Sequence, residues 1–151
     1  MKTDAIYVGE ERPRLVGKVV TTLTVTNGLD VGNMESGLRP EPVRGLLIRD
    51  VLVDTGATML CLPADAIEEL GLRFLKTVGI ETATGHAQAR VFANVLLEIE
   101  DRAGTFDVLE LPAGSPALLG VVPLEVLGFE PDLQAQRLRK LPMDETGSYL
   151  L

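Results

Sequence analysis

The chain has a single cysteine, Cys61, and a single histidine, His86, in 151 residues. One thiol excludes an internal disulfide and any cysteine-built zinc cage. One imidazole leaves a histidine-built metal site without ligands and argues against a serine–histidine–aspartate triad. Cations are scarce as well: 14 Lys and Arg stand against 22 Asp and Glu, a formal net charge of -8. Nucleic acid and anionic membrane surfaces both demand an excess of Lys and Arg, so neither is an expected partner. Only Arg137, Arg139 and Lys140 form a small basic cluster. No apolar run approaches membrane-spanning length, and the opening "MKTDAIYVGEERPRLVG" lacks the apolar core of a signal peptide, so a cytoplasmic, soluble setting is expected. What the chain does have is 46% hydrophobic residues, enough for one core in a chain of single-domain size.

Period-two patterns dominate. "VVTTLTVTN" sets Leu23 and Val25 against Thr22, Thr24 and Thr26, the pattern of a half-buried strand. "GLDVGNMESGLRPEPVRG" gathers Gly, Pro, Asn and charge and predicts a long exposed loop over 28–45. "LLIRDVLVD" is β-rich. "VFANVLLEIED" places Val91, Ala93, Val95, Leu97 and Ile99 on one face, and "TFDVLELP" continues the strand character. Helices are few. "PADAIEELG" has Pro63 in the first turn, Asp65 near the N-terminus, and Gly71 as terminator, with Leu62, Ala66 and Leu70 on its inner face. "VVPLEVLGFEPD" echoes it with Pro123 and a closing Gly128. Each follows an apolar run ending in a glycine-bearing turn, a faint internal duplication. Pro131, Pro142 and Gly147 suggest a loose end after "AQRLRKL", although the final "SYLL" is apolar and able to dock. The fold expected is mainly β with one or two short helices.

The chemistry concentrates in "VLVDTGATMLCLP", Val51 to Pro63. A carboxylate following a buried apolar strand is costly to desolvate and needs partners or a task. Thr55 adds a hydroxyl able to bond backbone, and Gly56 admits a second chain segment at close range. A single ionised carboxylate activates water poorly. Two side by side cannot both ionise, so they share a proton and offer acid and base together. The chain has one such aspartate, so its mate must come from another copy.

"VLVDTGAT", with Asp54, Thr55, Gly56, Ala57 and Thr58, resembles the active-site motif of retropepsin-like aspartic proteases, the single-domain homodimeric relatives of pepsin. "ALLG", with Leu119 and Gly120, resembles that family's second signature, followed by a short helix. "GIETATGHAQARVF" resembles its flap, a hairpin whose tip here would be Thr84, Gly85 and His86. The likeness runs from about Leu15 to Leu141. It divides the chain into an N-terminal arm (1–14), a retropepsin-like domain (15–141) and a C-terminal tail (142–151).

The resemblance implies a closed β-barrel or sandwich with a flap. It implies an aspartic endopeptidase with Asp54 catalytic, supported by Thr55, Gly56, Ala57, Thr58, Leu119 and Gly120, with no metal or cofactor. The partners implied are a second copy of the chain and an extended peptide substrate, which Thr84, Gly85 and His86 would cover. The sequence also departs from the pattern. Thr58 stands where retroviral members usually carry Asp or Ser, and the 28–45 segment is longer than a minimal enzyme needs. Ala57 matches the retroviral form, where pepsin-like relatives more often have Ser.

Plainer readings stand beside these. Asp54 would cap a turn, His86 would be a solvated hairpin residue, and Cys61 a small core residue. Asp50, Asp65, Glu68 and Glu69 read as solvated carboxylates. The rival function is a catalytically silent retropepsin-like module that dimerises or binds extended peptides without cutting them.

Overall fold

A computed structural model describes residues 18–39 and 42–142. The Thr-rich stretch becomes β1 (Val19–Asn27), antiparallel to β2 (Gly45–Val53). Then come β3 (Leu60–Pro63), α2 (Ala64–Leu70), β4 (Arg73–Thr82), β5 (Gly85–Ile99), β6 (Arg102–Leu111), β7 (Leu118–Leu119) and α3 (Val121–Leu127). The strands lie in the order β1-β2-β7-β3-β6-β5-β4, and β1 also pairs with β5 through Thr24–Asn27 against Val95–Glu98. That extra pairing closes six strands into a ring and leaves β4 outside it. The fold is mainly β, a closed barrel with a projecting hairpin and short helices.

The alternating patterns point inward as the sequence predicts in β1 and in β5 from Val95 onward, whereas Ala93 is only half-buried and Val91 lies outside the central core. Leu23, Val25, Val95, Leu97 and Ile99 are buried, and with Leu60, Leu62, Val108 and Leu119 they fill the barrel. Phe92 is also buried, because a bulge between Phe92 and Val95 shifts the register of β5 against β6. Ala66, Ile67 and Leu70 are the inner face of α2, with Leu62 beneath them from β3. The two echoing segments are indeed helices. Each ends on a left-handed glycine, Gly71 (φ 65°) and Gly128 (φ 74°).

The predicted 28–45 loop is corrected in its first part. Gly28–Glu35 is a helix, α1, capped by Asn27, whose side chain accepts from the Asp30 N–H at 3.0 Å. The Asn27 amide also donates to the Leu70 carbonyl at 2.8 Å, joining the start of α1 to the end of α2. Asp30 is buried (2% exposed) and accepts from Arg44 Nε at 2.8 Å and Nη2 at 2.9 Å, with Arg39 Nη1 at 3.4 Å. A side-chain N-cap and one ion cluster thus outweigh two helix-disfavouring glycines, Gly28 and Gly32.

The segment around Pro131 is corrected too. β8 (Phe129–Asp132) pairs with β9 (Arg137–Lys140), so the basic cluster is a strand and Pro131 sits opposite Leu138. Arg102 clamps this hairpin: its guanidinium donates to the carbonyls of Leu127 (3.2 Å), Gly128 (2.6 Å) and Leu141 (2.7 Å) and lies over the Phe129 ring. The expected N-terminal arm, Gly147 and "SYLL" lie outside the described residues.

Candidate active site

β2 runs straight into Asp54, and the loop beyond it is held by backbone hydrogen bonds and by the Asp54 carboxylate itself. Asp54 N–H donates to the Leu119 carbonyl at 3.0 Å, continuing the parallel β2–β7 pairing of Leu52 with Leu118 and Val53 with Leu119. The Asp54 carbonyl accepts from Ala57 N–H at 3.0 Å, and its carboxylate Oδ1 accepts from Gly56 N–H at 2.9 Å. From the other side Gly120 N–H donates to the Met59 carbonyl, Val121 N–H to Ala57 and Val122 N–H to Thr58, at 3.0, 2.9 and 3.0 Å. The start of α3 is therefore stitched to the Asp-Thr-Gly loop. A Cβ at Gly120 would lie 2.7 Å from the Ala57 carbonyl oxygen and would also collide with the Thr58 and Met59 backbone. Only glycine permits this contact.

The structure brings Asp54, Gly56, Ala57 and Thr58 together on the wall of one open depression of about 630 Å³. Asp54 is half-buried, and Thr55 and Gly56 are exposed at the loop's tip. The other walls are apolar: Met59, Cys61, Leu109 and Leu118 from the barrel, with Val78 and Ile80 from β4. Leu119 is fully buried and acts through its carbonyl, while Gly120 packs behind the loop. Among the lining residues the carboxylates are Asp54 and Glu81.

Thr84, Gly85 and His86 lie where the sequence places them, at the end of the β4–β5 hairpin. Thr82 pairs with Gly85 and Glu81 with His86, and Thr82 Oγ1 donates to the Gly85 carbonyl at 2.8 Å. All three are exposed, and none lines the depression; the hairpin contributes Val78–Glu81 instead, nearer its base. Those residues, together with Met59, Cys61, Leu109 and Leu118, are missed by the sequence reading. The alternation of Val78 and Ile80 about Gly79, just before the tip, is the signal that could have found two of them.

Cys61 is buried, and that burial, with the charge of Asp54 adding to it, pushes its thiol up to about 11. It is a protonated, unreactive thiol at neutral pH, its Sγ 3.6 Å from the Met59 carbonyl. Among the described residues no three His, Cys, Asp or Glu side chains are grouped to hold a metal ion.

A half-buried aspartate on a glycine-locked loop, at the foot of a largely apolar cleft beneath a hairpin, is the arrangement of a retropepsin-like aspartic protease. The family model described as "Aspartyl protease" matches residues 43–122, and the chain belongs to that family. Among solved structures, the EIAV protease complexed with the inhibitor HBY-793 superposes over 81% of this chain and 93% of its own, with a TM-score of 0.50 and 21% identity. No curated protein matches the sequence.

Proposed function

We propose that the chain is an endopeptidase that works as a homodimer, with Asp54 of each copy holding the attacking water. One carboxylate takes the water's proton while the other protonates the scissile carbonyl oxygen, without a covalent intermediate. The observation that carries this reading is the exposed Thr55–Gly56 tip beside a single half-buried Asp54. The loop is built to hold a carboxylate rigidly, yet among the described residues that line the cleft no second aspartate stands beside it. Two-fold symmetry is the simplest source of the mate. Thr55 would brace one loop against the other across the axis. A substrate would lie extended in the cleft, its side chains against Val78, Ile80, Leu109 and Leu118, with the hairpin closing over it.

Asp54→Asn keeps size and most hydrogen bonds but removes the ionisable group. Cleavage of an unfolded protein substrate at mildly acidic pH should vanish, while folding survives. Titrating this variant into wild type should lower activity as the square of the wild-type fraction. A linear fall would mean that each chain works alone. Retained turnover in the pure variant would remove Asp54 from the chemistry, and an inactive wild type would favour the silent peptide-binding module.

A further inference from the structure

A second groove, of about 560 Å³, lies apart from the depression at Asp54. One bank is β2 from Leu46 to Leu52; the other is Pro63 with Asp65, Ala66 and Glu69 of α2. Ala117, just before β7, lines this groove, and Leu118 of β7 lines the cleft.

The β2 bank is an open strand edge. β1 covers its other side, and β7 reaches only Leu52 and Val53, so among the described residues no strand lies beyond Gly45–Val51. Register decides which groups face outward. Leu52 and Asp54 give their N–H groups to β7. Between them and the rest of β2 an extra residue is inserted, since Thr21 pairs with Val51 but Leu23 with Ile48, and Asp50 stands in left-handed backbone (φ 57°). The bulge reverses the parity, so Leu47 and Arg49, rather than Leu46 and Ile48, turn their N–H and C=O groups toward the groove. Leu47 is itself 57% exposed. A long apolar edge of this kind is an aggregation hazard unless it has an occupant.

The charge around it is lopsided. Among the described residues, Asp65 and Glu69 from α2 line the groove and the cation there is Arg49, on the opposite bank. Asp65 is held in place by accepting from Gly114 N–H at 3.1 Å. The floor between is apolar, from Leu46, Ile48, Leu52, Pro63, Ala66 and Ala117.

We propose that this groove binds an extended segment of a partner protein as an added strand on β2. Its occupant carries apolar side chains at alternate positions and Lys or Arg between them. The apolar residues meet the floor, the cations meet the carboxylates, and the backbone bonds to Leu47 and Arg49. Neither catalysis nor a second copy enters the proposal, so it stands or falls apart from the peptidase reading.

The test uses a labelled heptapeptide of alternating valine and lysine and the full-length Asp54→Asn protein, followed by fluorescence anisotropy. Saturable binding is expected, with at least a tenfold loss between about 0.05 and about 0.5 M salt. Asp65→Asn combined with Glu69→Gln, or N-methylation of alternate peptide bonds, should weaken it at least tenfold. A valine–glutamate peptide should not bind. Equal affinity in the double variant would put the peptide elsewhere, the cleft included, and would overturn the proposal. So would no binding at about 1 mM peptide. Slow hydrogen exchange at Leu47 in the peptide-free protein would show the edge already covered by the chain's own terminal segment or by a second copy, and would equally overturn it.

Discussion

A methyl group on residue 120 has nowhere to go, because the atoms it meets are the backbone of Ala57, Thr58 and Met59 and cannot rotate away. Gly120→Ala should therefore cost about 3 kcal/mol or more in urea unfolding and depress peptide hydrolysis further than the lost folded fraction explains. Activity falling only in step with stability would show that the loop tolerates displacement. At this scale much of the site was legible. Asp54, Thr55, Gly56 and the Leu119–Gly120 pair are recognisable because chemistry and close packing leave few residue types able to serve. The cleft's apolar wall was not. Leu109 and Leu118 look like any other strand residues, and which of them faces a cleft depends on strands brought together from distant parts of the chain. The sequence makes Cys61 a small core residue, and its burial agrees, although it also borders the cleft.

Among elements, the strands and α2 and α3 follow from periodicity and glycine stops, whereas α1 hides. Its two glycines and lack of an apolar stripe conceal a helix held by an ion cluster at one end. That cluster makes α1 sensitive to acid. The Arg44 guanidinium, by hydrogen-bonding Asp30, holds its carboxyl at about 2, below the usual 3.8. A lowered value means that the charged form stabilises the fold above the ordinary pKa, and that this stability is lost as pH falls from about 4 through about 2. Asp30→Asn should thus cost about 2 kcal/mol at pH 7, and the gap from wild type should close by about pH 2 in denaturant titrations. A gap independent of pH would mean that shape, and not charge, anchors the helix.

For the whole molecule, the paired-carboxylate reading makes activity a bell-shaped function of pH, since the working pair carries one proton. Ala57 lines the cleft beside Asp54 and offers no hydroxyl to the carboxylate. A serine there would favour the ionised form, so Ala57→Ser should move the optimum of peptide hydrolysis toward acid. An alkaline shift would contradict the argument.

The closure of the barrel also sets an order of events in time. β2 and Asp54 are synthesised well before their backbone partners, Leu118 and Leu119, and the wedge at Gly120. β1 likewise waits for β5. Such distant pairings are slow to form, because loop-closure entropy is lost before the contacts compensate. While a ribosome is still making the chain, the aspartate loop exists without its lock. The candidate site is complete only once β7 and Gly120 have joined it, and a chain cut short before them carries the motif but not the site.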